Sequence, residues 1–133
     1  PIYGKGINER EWIHVDDHCK ALITIFKKGK VGQSYNIGSG DIVSNNTISK
    51  KLIKLFKTKI NKNCKSKIIY VKYRPGHDLR YALNSRKIKK LGWKKKLNLD
   101  KGLFLTIKWY LKNTDWLKKI NKNKYSGRLG IKL

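Results

Sequence analysis

A run of β-branched and aromatic residues, Ile68-Ile69-Tyr70-Val71, stops abruptly at Tyr73-Arg74-Pro75-Gly76-His77-Asp78. The run reads as a strand over 67–73, and Pro-Gly reads as the turn that ends it. Elsewhere the chain alternates short extended pieces of this kind with segments of helical period, which points to an α/β fold. Residues 1–9 are expected to form a loop and 10–15 a short strand. Asp16 caps a helix to about Lys28, with Cys19, Leu22, Ile23 and Phe26 on one face, and Gly29 ends it. A short strand covers 34–37. A second helix starts at Ser44 or Asn46 and runs to about Lys59, with Ile48, Leu52, Leu55 and Phe56 inward. Residues 60–66 are a polar linker. Asn84 or Ser85 caps a short basic helix that stops at Gly92. A last helix covers about 99–112, with Leu103, Ile107, Tyr110 and Leu111 as its apolar stripe. The tail over 118–133 is Lys-, Asn- and Gly-rich, basic and expected to be disordered.

The loop after the 67–73 strand gathers the chemistry. α/β proteins place ligand contacts at strand ends. Arg74 offers a planar fork of donors that matches a phosphate or carboxylate. His77 donates or accepts near neutral pH. The combination suggests a small anionic ligand, against a bland alternative in which the arginines are ordinary exposed charges. His14, Asp16, Asp17 and His18 invite a metal reading. The two aspartates fall at a helix start, where carboxylates are wanted for capping and for the dipole, so no metal ligand is assigned.

Charge is the competing signal. The net charge is +25, from 33 basic residues against 8 acidic ones, which alone suggests a Lys-rich nucleic-acid-binding module. Only five of the basic residues are arginine (Arg10, Arg74, Arg80, Arg86, Arg128), and base-edge readers lean on arginine. The lysines are dispersed beside many Asn and Ile, all with AT-rich codons, so genome composition suffices as a cause. Nonspecific polyanion binding at low salt follows from the charge whatever its origin. The 133 residues predict one domain with a modest core. No apolar run of membrane-spanning length exists. Cys19 and Cys64 lack metal spacing and read as free thiols of a cytoplasmic protein.

The string Arg74-Pro75-Gly76-His77-Asp78-Leu79-Arg80-Tyr81-Ala82-Leu83 closely resembles a segment of bacterial dTDP-glucose 4,6-dehydratases, members of the extended short-chain dehydrogenase/reductase family. Pro1-Ile2-Tyr3-Gly4-Lys5-Gly6 resembles that family's PIYGxG loop. Arg10 to Cys19 is similar to its RDWLYVEDHC segment, and Gly29 to Ser39 to GKxGExYNIGG. Leu91-Gly92-Trp93, Gly102, Thr106, Trp109-Tyr110, Asn113 and Trp116 follow its C-terminal pattern. The resemblance covers residues 1 to 117.

By resemblance, Arg10 and Arg74 contact the diphosphate of a nucleotide-sugar substrate, dTDP-glucose. His77 lies by the diphosphate and sugar, Asn36 hydrogen-bonds the nucleotide, and Pro1, Ile2 and Tyr3 line the base pocket. The resemblance implies a parent enzyme that uses NAD and is a homodimer. The chain contains no strand-linked Gly-rich dinucleotide fingerprint, and none of its seven tyrosines has a Lys four residues on. It therefore resembles the C-terminal substrate-binding lobe, residues 1–117, with short strands, three or four helices, no Rossmann half, and no catalytic or cofactor-binding residues of its own. Another NAD-dependent sugar-nucleotide epimerase, dehydratase or decarboxylase fits the weaker motifs equally well. Among the departures, Tyr73 stands where the family commonly has an acid, Asn84 where it has Asp, and Lys94 where it often has Pro.

Overall fold

The computed structural model describes residues 1–73 and 75–121. Four short strands and five helices follow in the order β1 Ile2–Tyr3, β2 Glu9–Glu11, α1 Val15–Lys28, β3 Ile42–Ser44, α2 Asn45–Lys59, β4 Tyr70–Val71, α3 Arg86–Lys90, α4 Leu99–Lys112 and α5 Thr114–Asn121. The strands form two separate ladders. β1 and β4 run parallel, with Ile2 opposite Tyr70 and Tyr3 opposite Val71. β2 and β3 run antiparallel, with Arg10 opposite Val43. The edge of β2 also carries Arg80 alongside Glu9, so the segment after the Pro-Gly turn joins this second ladder.

Several expected elements shift for identifiable reasons. The 67–73 strand contracts to Tyr70–Val71, the two residues that stand in register with β1, which lies within the expected 1–9 loop. The 10–15 strand moves back to Glu9–Glu11. No described segment pairs with 34–37, which is therefore not a strand, and the antiparallel partner of β2 is Ile42–Ser44 instead. A strand is defined by its hydrogen-bonded neighbour, and no local pattern can name that neighbour. The helix count exceeds the expected three or four because of α5. This helix also runs four residues into the segment expected to be a disordered tail, and 122–133 lie outside the described residues.

α1 is capped by His14, whose side chain accepts the Asp16 backbone N–H, and not by Asp16 itself. The face shared by Cys19, Leu22, Ile23 and Phe26 is the one turned to solvent. Leu22, Ile23 and Phe26 are solvent-facing, at 50%, 53% and 90% exposure, and Cys19 is exposed as well. The buried positions are Asp17 and Ala21, with Ile25 half-buried. α1 is apolar on two sides, so periodicity alone does not choose between them. The choice is made by Ile88 of α3 and Trp93, which close over Ala21 with Ile13, Ile25, Tyr35 and Ile37 at the margin. α2 keeps its expected face, with Ile48 buried and Leu52, Leu55 and Phe56 half-buried, under a Ser44 cap that accepts the Thr47 N–H. α4 keeps Leu103 and Ile107 half-buried but exposes Tyr110 and Leu111. Its buried residue is Gly102, where an added Cβ would lie 3.4 Å from the His14 Cβ. Asn84 accepts the Arg86 N–H at the start of α3, while Ser85 occupies the cap position without a side-chain bond.

The apolar core is small, so polar pins matter. Asp17 is 1% exposed, and one of its carboxylate oxygens accepts the backbone N–H groups of Lys96 (3.0 Å) and Leu97 (2.9 Å). Its backbone carbonyl accepts the Trp93 indole N–H at 3.1 Å. The single residue thus joins α1 to the segment between α3 and α4. Replacing Asp17 by Ala strands two part-buried donors, each bonded to a charged acceptor. The expected outcome is a loss of about 2–4 kcal/mol in unfolding free energy, read from urea denaturation. A loss below about 0.5 kcal/mol would show the pin to be dispensable.

Candidate functional site

The candidate site forms where the turn after β4 returns to the loop after β1 and to β2. β4 lies beside β1, and the Gly4 N–H donates to the Val71 carbonyl at 2.8 Å. The chain then turns at Pro75-Gly76, with Gly76 at φ 70°, a conformation that glycine adopts without strain. It comes back along β2, where the Glu9 N–H donates to Leu79 O (2.7 Å) and the Tyr81 N–H to Glu9 O (3.1 Å). Loops from the two ladders meet at this point.

Arg10 sits on β2 and reaches the turn. Its two terminal nitrogens donate to Glu9 O (2.6 Å) and Asp78 O (2.9 Å), and its guanidinium lies over the Tyr81 ring at 4.4 Å. The Tyr81 hydroxyl in turn donates to the Asp78 carboxylate. That bond, and the negative charge beside it, hold the Tyr81 hydroxyl pKa above its usual value. Arg80 pairs with Glu9 at 3.1 Å. His77 is half-buried, edge-on to Tyr3 at 6.3 Å between ring centres, and 6.1 Å from Tyr73. Its Nδ1 is buried and finds no partner among the described residues. The structure thus brings Tyr3, Arg10 and His77 into one neighbourhood.

The other expected contacts are placed differently. Ile2 is 8% exposed and its side chain turns inward against Gly6, where an added Cβ would lie 2.8 Å from the Ile2 Cγ2. Pro1 is exposed. Asn36 is exposed and lines a separate concavity of about 380 Å³ with Ser34, Asn84, Arg86, Lys87 and Lys90. Arg74 lies outside the described residues. A second cleft, of about 760 Å³, is walled by Trp12, Leu103, Trp109 and Trp116 and includes none of the expected site residues. His14 packs on Gly102 and caps α1, as its place on a helix start favours.

Gly4-Lys5-Gly6 follows a strand, as a dinucleotide loop does, with both glycines at positive φ. It leads into β2 and not into a helix, and a side chain already occupies its concave face: a Cβ at Gly6 would clash with the Asn46 side-chain amide. The residues here do not fit the pyrophosphate of a dinucleotide, which needs the N-terminus of a following helix.

Two organising residues, Asn8 and Glu11, are not among those expected from sequence. Asn8 is 1% exposed, and its amide donates to the Tyr73 hydroxyl (3.2 Å) and to Asp78 O (3.0 Å). Glu11 accepts the Gly40 N–H at 2.6 Å on one oxygen and the Leu83 N–H at 2.8 Å on the other. It therefore ties the loop before β3 to the segment leaving the turn. The signal available in sequence is their place beside Arg10 and Trp12, in a stretch that looks like an ordinary polar strand. Glu11→Ala is expected to cost about 1–3 kcal/mol in a thermal or urea melt, because two backbone donors lose a charged acceptor.

A family model described as GDP-mannose 4,6 dehydratase matches residues 1–106. A dTDP-glucose 4,6-dehydratase of Shigella flexneri is 39% identical over 128 residues, covering 94% of this chain and 36% of that protein. The crystal structure of dTDP-glucose 4,6-dehydratase from Bacillus anthracis in complex with NAD superposes with a TM-score of 0.79 at 39% identity, over 91% of this chain and 37% of that one. The UDP-glucose 4-epimerase of Thermotoga maritima, solved with UDP-glucose, gives a TM-score of 0.74 at 29% identity, over 85% of this chain and 35% of that one. The chain thus spans little more than a third of the length of these relatives. The α/β elements described above are those of an extended short-chain dehydrogenase/reductase fragment, and the chain belongs to the GDP-mannose 4,6 dehydratase family.

Proposed function

We propose that this chain forms the substrate-binding part of an NAD-dependent dTDP-glucose 4,6-dehydratase, with residues 1–117 as that portion. The observation that carries the reading is 39% identity to dTDP-glucose 4,6-dehydratases across 94% of the chain. The convergence of Arg10, Tyr3 and His77 around the Pro-Gly turn supports it. In this reading Arg10, on β2, and Arg74 clamp the substrate diphosphate. Arg10 is already oriented by the Asp78 carbonyl and the Tyr81 ring, so less side-chain entropy is lost on binding. His77 lies by the diphosphate and the sugar. Tyr3 lines the base pocket beside Pro1, whereas Ile2, turned inward, and Asn36, in a separate concavity, are not assigned a ligand contact. NAD belongs to the part of the relatives that this chain does not span, and the complete enzyme is a cytoplasmic homodimer. The net charge of +25 adds salt-sensitive, sequence-blind attraction to polyanions.

Two experiments test the reading. First, the purified chain is incubated with dTDP-glucose and NAD. No 4-keto product is expected, because no tyrosine in the 133 residues has a lysine four positions on. Turnover by the pure chain would overturn the assignment of catalysis to the remainder of the enzyme. Second, Arg74→Lys keeps the charge but loses the planar, two-pronged geometry. Titration with dTDP is expected to show binding weakened by about 1–3 kcal/mol, with an unchanged melting temperature. Equal affinity and equal melting would remove Arg74 from the site.

A further inference from the structure

The structure gives Tyr73 three neighbours at once. Its hydroxyl accepts from the Asn8 side-chain amide at 3.2 Å and donates to the His77 carbonyl at 2.7 Å, so the donor and one acceptor of the phenol are both used. Its ring lies close against the backbone of Gly4: a Cβ built there would stand 2.5 Å from the Tyr73 Cδ2. Its ring is also 6.1 Å from that of His77, which is itself edge-on to Tyr3 at 6.3 Å. An acidic side chain at position 73 has no ring to lay on Gly4 and, when ionised, no proton to give to a carbonyl.

We propose that Tyr73 is a positioning residue that braces the loop after β1 against the turn at 75–78. It thereby fixes the distance between the groups that receive the base and those that receive the diphosphate of a nucleoside diphosphate. The proposal rests on the nucleotide-binding reading above. In that reading a nucleoside diphosphate meets Tyr3, where the loop after β1 begins, and His77, in the turn, and a rigid spacing between the two removes loop-ordering cost from binding. Asn8 anchors the brace from beneath. Its amide holds both Tyr73 and Asp78 O, and Asp78 O also receives Arg10. One buried residue therefore sets Tyr73, Arg10 and the turn in register.

The test is a double-mutant cycle on the 133-residue chain, with dTDP as the titrant. Tyr73→Ala is expected to weaken dTDP binding about tenfold, and Tyr73→Phe, which keeps the ring on Gly4, about threefold, the scale of neutral hydrogen bonds removed. Gly4→Ala, which displaces the ring, is expected to weaken dTDP binding more in the native background than in Tyr73→Ala. Backbone strain at Gly4, at φ 56°, enters both arms equally and cancels from the comparison. Strictly additive effects would overturn the brace. A second measurement needs no ligand. Nuclear Overhauser effects between the Tyr3 and His77 rings are expected in the native chain and in Tyr73→Phe, and are expected to vanish in Tyr73→Ala. Their survival in Tyr73→Ala would overturn the proposal even if dTDP fails to bind. If the native chain does not bind dTDP while those effects do vanish in Tyr73→Ala, the brace stands and the nucleotide-binding reading falls instead.

Discussion

The carboxylate of Asp17, accepting two backbone N–H groups from Lys96 and Leu97, is the interaction on which the rest of the arrangement depends. Buried apolar side chains are few, namely Ile2, Ala21, Ile48, Ile88 and Trp93 among the described residues. Ala21, Ile88 and Trp93 bring little area together, and hydrophobic burial is proportional to area. A charged acceptor in a low-dielectric setting is stronger than its counterpart in water. Asp17 therefore sets where α1 meets the α3–α4 segment, and the Trp93 indole N–H on its carbonyl locks the same corner.

The same device recurs at the site. Asn8, Glu11 and Asp17 lie within ten residues of one another in sequence, and each binds a segment distant in the chain. Asn8 holds Tyr73 and Asp78, Glu11 holds the loops at 40 and 83, and Asp17 holds 96–97. The short stretch that contains β2 and the start of α1 thus acts as a hub. The hub explains how strands of two or three residues can place ligand-facing loops. Their ladders are too short to be rigid alone, and side-chain to backbone bonds supply what pairing does not.

The surface of α1 follows from the same economy of apolar area. α1 presents Leu22, Ile23 and Phe26 to solvent, and the cleft beside α4 and α5 is walled by Trp12, Trp109 and Trp116. A helix apolar on both sides is characteristic of one covered on both sides. The periodicity of α1 is thus informative about burial and ambiguous about which neighbour supplies it.

Local signals determined much of this protein. The extents of α1, α2 and α4 follow from apolar period, from Gly29, and from Ser44 as a cap-forming residue. The α/β class and the family are legible in motifs such as the RPGHDLRYAL string, and the resemblance gathers Tyr3, Arg10 and His77 round one ligand although no local pattern makes them neighbours. What only the tertiary structure decided is which extended segments pair, which side of α1 is buried, and what holds the loops. Ile2–Tyr3 is a strand because Tyr70–Val71 lies beside it, and 34–37 is not one because no described segment does. Asn8 and Tyr73 become organising residues only when the chain folds back across the 65 positions between them. Helical period and caps are properties of neighbours in sequence. Strand pairing and buried polar bonds are properties of neighbours in space, and only the folded chain sets those.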